Sequence, residues 1–318
     1  MKHRFFHITL LLLLISCCSF KPAAAFSRLS IHIQTITSDD NSCVIPFNRV
    51  GNLMLVKAKV DTTEGNFVLD TGAPDLVLNL TYFRDYPITQ SSDGEESGIT
   101  GSSALIRKTL IKDLNFGSFN YHKIETNLTN LGNIENAKGV KILGLLGIEL
   151  FKQCEVIIDF EKMVIYLHRI GKKEADTYKH TMLQDEQQYH SFSFDLMDNR
   201  IMLSTKLGGK KLRLVIDCAA ESNILDSRLP NKVFEHVSIT RKIKLTGAGD
   251  KKIDALFGSM NGLKIGEYAV NNLSVTITNL EKTCFSHNVC VDGVLGFDFL
   301  AMHKIGFNFV KHKLYIWK

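Results

Sequence analysis

The sequence predicts a mainly β protein built as two tandem copies of one unit. Three observations carry that expectation. Short alternating apolar runs are bounded by Gly, Asn and Asp; helical periodicity is scarce; and five landmarks recur in one order at nearly one spacing. Leu114-Asn115-Phe116-Gly117 returns 149 positions later as Leu263-Lys264-Ile265-Gly266, and Thr129-Asn130-Leu131 returns at the same offset as Thr278-Asn279-Leu280. Leu146-Gly147 returns as Leu295-Gly296, and Asp159-Phe160 with Tyr166 returns as Asn308-Phe309 with Tyr315. Asp70 and Asp217 stand 147 apart. A repeated unit of about 130 residues is of ordinary domain size.

The chain of 318 residues is long enough for two such cores. Its opening reads as an address label, a signal peptide over residues 1–25. Lys2 and Arg4 precede an apolar stretch, Phe5 to Ile15, that is too short to span a bilayer comfortably. Two processing readings are open. Ala23-Ala24-Ala25 suits cleavage before Phe26, whereas Leu14-Ile15-Ser16-Cys17 resembles a bacterial lipobox with Cys17 as the lipidated residue. The lipobox is preferred, because it sits directly at the end of the apolar run. Either way the expectation is an exported protein, periplasmic or lipid-anchored to the bacterial outer membrane or cell surface, touching membrane only through that anchor.

The first copy is expected over residues 43–170. Leu53 to Val60, Asn66 to Leu69 and Val77 to Leu80 read as strands, with a turn over Asp61 to Gly65. A glycine-bearing loop, Ser91 to Ser103, precedes strands around Ala104 to Ile111 and Ile124 to Leu128. The copy closes with a short amphipathic turn, Ile148 to Phe151, and a hairpin of Val156 to Phe160 with Val164 to Leu167. Gly171 to His190 is polar and lacks apolar periodicity, so residues 171–190 read as a linker whose His180 and His190 face solvent. Fully extended it would reach roughly 65 Å, enough to let the copies face each other. The second copy, residues 191–318, ends like the first, with Phe297 to Leu300 and a hairpin of Lys304 to Phe309 with Leu314 to Trp317.

Each copy carries apolar-apolar-Asp followed by small residues, then apolar-apolar-Gly 77 or 79 positions later. In copy one these are Phe67-Val68-Leu69-Asp70-Thr71-Gly72-Ala73 and Leu145-Leu146-Gly147. In copy two they are Leu214-Val215-Ile216-Asp217-Cys218-Ala219-Ala220 and Val294-Leu295-Gly296. This combination resembles the aspartic peptidases, especially the retropepsin-like peptidases and related exported bacterial proteins, over nearly the whole chain from Cys43. The resemblance implies two retropepsin- or pepsin-like lobes related by a pseudo-twofold axis, in a monomer that is an internal pseudo-dimer. It implies an aspartic-type endopeptidase acting on peptide or protein substrates without a cofactor, with Asp70 and Asp217 as the catalytic pair. Thr71, Gly72, Cys218 and Ala219 would support the aspartates, and Gly147 and Gly296 would close the two motifs.

Two carboxyl groups a few ångströms apart cannot both ionise readily, so they share a proton and titrate as a unit. Thr71 would hydrogen-bond across the axis, and Gly72 would let its N–H approach the carboxylate. Copy two departs at Cys218, a weaker and longer hydrogen-bonding group than a hydroxyl, and at Ala219, costly only where φ must be positive. Those departures favour an alternative of another class, a catalytically impaired relative that binds peptides or a protein partner. The glycine hairpins Gly98-Ile99-Thr100-Gly101 and Thr246-Gly247-Ala248-Gly249 stand where this family carries a flap. Glu149 and Asp298 are read as first-turn acids of short helices.

Other chemistries find little support. Net charge is +5 and its lysine pairs, Lys210-Lys211 and Lys251-Lys252, read as solvated turns, with no basic stripe interleaved with aromatics to suggest nucleic acid. Cys284 and Cys290 lie close enough in sequence to form a disulfide. With His287 they supply only three metal ligands, and no metal site is assigned. Cys218 has no neighbouring histidine in sequence to make it a nucleophile.

Overall fold

The computed structural model of the protein describes residues 41–96, 104–246, 252–281, 284–285 and 289–318. The leader with Cys17, the glycine loop 98–101, residues 247–249 of the second glycine loop, and His287 lie outside the described residues. The chain is mainly β, and its few helices are short.

Alternating apolar residues place the strands nearly where the pattern puts them. Leu53–Val60 forms over the expected residues and buries Leu53, Met54, Leu55, Val56, Ala58 and Val60. The next strand, Thr63–Leu69, begins three residues earlier than expected. Asp61 takes a left-handed φ of 51°, so a two-residue turn suffices and Val60 pairs directly with Thr63. The Asp61 carboxylate fixes that turn by accepting from the Lys112 and Asp113 N–H groups at 3.0 and 2.8 Å.

Strand order is alike in the stretches before and after residues 171–188. Thr63–Leu69 lies antiparallel to Leu53–Val60 and parallel to Gly144–Leu146. Lys210–Ile216 lies antiparallel to Arg200–Leu207 and parallel to Gly293–Leu295. Val77–Asn79 runs parallel to Phe119–Thr129, as Asn223–Asp226 does to Leu273–Thr278. The repeated Leu-Xaa-Phe/Ile-Gly segments become tight hairpin turns, with Gly117 and Gly266 at φ 59° and 57°.

A layer of six strands joins the repeats, in the order Tyr189–Ser193, Lys313–Trp317, Ile305–Asn308, Cys154–Asp159, Val164–Arg169 and Ser42–Val50. At its centre the closing hairpins of the two repeats pair antiparallel, with Ile305 opposite Ile158 and Phe307 opposite Val156. Asn308 Nδ2 donates to Glu155 Oε2 across this seam at 2.8 Å, and Lys304 pairs with the buried Asp159 at 3.0 Å.

Residues 171–190 contain two 3-10 turns, Thr181–Leu183 and Glu186–Gln188, and Tyr189 and His190 already belong to a strand. Their histidines are half-buried rather than solvent-facing, which corrects the sequence reading. His180 packs 5.7 Å from the Tyr166 ring, and His190 stacks 4.6 Å from Tyr268. Aromatic neighbours contributed by distant strands are invisible in a polar local sequence.

Candidate active site

Each aspartate emerges from the end of a strand held between an antiparallel and a parallel neighbour. The Asp70 N–H bonds the Leu146 carbonyl at 3.1 Å, and the Asp217 N–H bonds the Leu295 carbonyl at 3.0 Å. The Leu-Gly motif therefore grips the backbone of the aspartate itself. Its glycine is required by space. A Cβ on Gly147 would sit 2.1 Å from the Asp75 carbonyl oxygen, and one on Gly296 would sit 2.5 Å from that of Ala220.

The chain then turns so that two N–H groups point back at each carboxylate. Asp70 Oδ1 accepts from Gly72 and Ala73 at 2.8 and 3.0 Å. Asp217 Oδ1 accepts from Ala219 and Ala220 at 2.9 and 3.0 Å. Ala219 is not among the residues with positive φ, and it supplies the same donor as Gly72 at nearly the same distance.

The two turns lock each other. Thr71 Oγ1 donates to the Ile216 carbonyl at 3.0 Å and accepts from the Cys218 N–H at 2.9 Å. Reciprocally, the Cys218 thiol donates to the Leu69 carbonyl at 3.2 Å and accepts from the Thr71 N–H at 3.3 Å. Cys218 thus makes the same two contacts as its threonine counterpart, lengthened as sulfur requires. Its thiol is fully buried, and burial, with the Asp70 charge, pushes it far above the ordinary thiol range, which removes it as a nucleophile at neutral pH.

Asp70 and Asp217 are brought together. Both are buried, and each carboxyl group lies close enough to the other to shift its protonation. Gly72 lies against Asp217, since a Cβ there would lie 2.4 Å from Asp217 Oδ2. No N–H or hydroxyl donor among the described residues reaches Asp70 Oδ2. Burial, and after it the charge of Asp217, raises Asp70 well above the usual carboxylate range. Burial also raises Asp217, but the N–H groups of Ala219 and Ala220 and the charge of Arg200 hold it back. Such a pair holds one proton over a broad pH range, and the macroscopic steps belong to both groups.

Residues 203–299 match the family model described as aspartyl protease. The matched segment holds Asp217, Cys218, Ala219 and Gly296, so it covers the repeat whose motif departs further from Asp-Thr-Gly. The mainly β architecture is consistent with that family's fold. No curated protein matches the chain.

Several residues near the site escaped the sequence reading. Asn199 Nδ2 donates to Glu149 at 3.0 Å, and Asn52 Nδ2 donates to the Glu221 carbonyl at 2.8 Å and to Asp298 at 3.4 Å. Glu149 and Asp298 do occupy the first turns of short helices, but each also carries a contact to the opposite repeat. Lys138, in the last turn of the helix Gly132–Lys138, pairs with Glu221 at 2.6 Å. Arg200, buried beside Asp217, also escaped the sequence reading; it stands 147 positions after Leu53, the offset that relates the two aspartates, but only the strand register shows what it faces.

Cys290 is disulfide-bonded and stands opposite Cys284 in a two-stranded ladder, so it is withdrawn from metal ligation. Cys43, Cys154 and Cys218 are free. Among the described residues no group of three His, Cys, Asp or Glu side chains is placed to hold a metal ion.

Proposed function

We propose that the protein is an aspartic-type endopeptidase that hydrolyses peptide bonds of an extended substrate with Asp70 and Asp217 as a shared-proton pair. The observation that carries this reading is the pair itself: two buried, electrostatically coupled carboxyl groups on loops that lock one another through Thr71 and Cys218. The ionised carboxylate takes a proton from a water lying between the groups, and that water's oxygen attacks the substrate carbonyl. The protonated partner donates to the carbonyl oxygen as the tetrahedral diol forms. Collapse of the diol breaks the C–N bond, and the amine leaves with a proton returned by the pair.

The reading includes two lobes related by a pseudo-twofold axis within one chain. Reciprocity of the contacts supports it. Ile305 faces Ile158 while Phe307 faces Val156, and Thr71 and Cys218 exchange equivalent bonds. A single chain then supplies both halves of the cleft and acts as a monomer. The N-terminal signal segment, either cleaved before Phe26 or lipidated at Cys17, would export it to act on peptides outside the cytoplasm.

The test is cleavage of a diverse peptide library across pH by the wild type, Asp70→Asn and Asp217→Asn. An acid-weighted or bell-shaped profile lost in both variants is expected. Activity surviving Asp217→Asn would overturn the paired mechanism, and peptide binding without cleavage at any pH would replace the enzyme with a binding protein.

A further inference from the structure

We propose that Arg200 is a positioning residue that keeps the negative charge of the pair on Asp217, so that Asp217 serves as the base and Asp70 carries the proton. The inference rests on the catalytic pair proposed above and assigns its two members different roles. Its basis is a difference between the repeats at one register position. Ile201 pairs with Ile216, so one step further along the ladder Arg200 stands across from Asp217. In the first repeat Leu55 pairs with Val68, which brings Leu53 across from Asp70. Both positions are buried, Leu53 at 2% exposure and Arg200 at 3%. The same place therefore holds a hydrocarbon beside one aspartate and a permanent cation beside the other.

A guanidinium does not give up its proton in a protein, so burial cannot neutralise it. Arg200 is tethered by Nη1 to the Asp198 carbonyl at 3.2 Å, in a turn where Asp198 and Asn199 take φ of 48° and 56°. That turn is fixed in its own right by Asn199 on Glu149. Arg200 and Asp70 are the charged side chains that act on Asp217; Asp198 lies in the same turn as Arg200, Glu149 bonds Asn199, and Asp75 and Glu221 follow the two aspartate loops in sequence. Glu149 pairs with Lys152, and Glu221 with Lys138. The pull of Arg200 on Asp217, which opposes the effect of burial there, has no counterpart acting on Asp70.

An isolated protonation site makes the test independent of turnover. In an Asp70→Asn background the protonation midpoint of Asp217 is followed by infrared difference spectroscopy of the carboxyl band, with and without Arg200→Met. Loss of the cation is expected to raise that midpoint by about one pH unit or more, a tenfold change in the ratio of ionised to protonated form at fixed pH. Arg200→Lys should restore most of the difference, which a purely structural role would not predict. Arg200→Gln, which is shorter and uncharged but keeps an amide N–H donor, serves if the methionine variant does not fold. In the otherwise wild-type chain, Arg200→Met should move the acidic limb of the kcat/KM profile upward by a similar interval. A midpoint unchanged in folded Met or Gln variants overturns the assignment. A shifted midpoint in a protein that cleaves no peptide would leave the charge placement standing and remove the peptidase reading.

Discussion

Thr71→Val tests whether the two aspartate loops are held by each other. Valine keeps the branched shape of threonine and removes its hydroxyl, deleting both bonds that the side chain makes across to the second repeat. The groups left behind are the Cys218 N–H, 2.9 Å from the hydroxyl, and the Ile216 carbonyl, 3.0 Å from it. Water does not reach this interior, and a buried backbone group deprived of its partner costs about 1–3 kcal/mol. Thr71→Val should therefore cost about 2–5 kcal/mol in urea unfolding, a large share of the stability of an ordinary domain. Cys218→Val should cost less, about 1–2 kcal/mol, because its thiol contacts at 3.2 and 3.3 Å are weaker bonds. The double variant should fall short of the sum of the singles, since both side chains serve one lock. Loss of under about 0.5 kcal/mol for Thr71→Val, or strict additivity in the cycle, would refute the claim that the lock holds the pair in place.

Gly72→Ala should lower kcat/KM by about 100-fold, because its Cβ would lie 2.4 Å from Asp217 Oδ2 and displace one carboxyl from the other; wild-type turnover in that variant would show that the pair tolerates separation. Asp70→Asn should stabilise the fold at neutral pH. Asp70 is raised in the folded state, so its favourable contribution is complete below the ordinary carboxylate range and disappears as pH rises through the folded value. The gain from the amide should accordingly grow from pH 4 to pH 7 in thermal unfolding, and a gain that shrinks over that interval would contradict the sign.

The fold was legible because burial leaves a period-two trace in the strands, as over Val56 to Val60, and because the sequence carries most of its landmarks twice at nearly one offset. The aspartates and the Leu-Gly motifs were legible by resemblance, and the structure gives the reason for their spacing: Leu146 and Leu295 receive the backbone N–H groups of Asp70 and Asp217. What remained hidden depended on contacts across the repeats. The polar residues Asn52, Lys138, Asn199 and Glu221 look like ordinary turn and surface residues until the opposite repeat is placed against them. Arg200 begins its strand directly after a turn, where a cation reads as solvated, and only the ladder register puts it beside an aspartate.

The two substitutions that make the second motif look damaged act on different parts of the geometry. Cys218 preserves a bond pattern at longer distances, so it weakens the lock without moving its ends. Ala219 preserves an N–H, and at a backbone without positive φ its methyl imposes no conformational strain. Neither removes a donor from Asp217, which receives the same two backbone bonds as Asp70. The repeats nevertheless are not interchangeable, because Gly72 lies so close to Asp217 that no side chain fits there, whereas the second loop carries one. Hydrocarbon at Leu53 and a guanidinium at Arg200 then place the members of the pair in different electrostatic surroundings. The departures of the second repeat from Asp-Thr-Gly thus leave the hydrogen bonds on both aspartates alike while the environments of the aspartates differ, and division of labour within the pair follows from the environments.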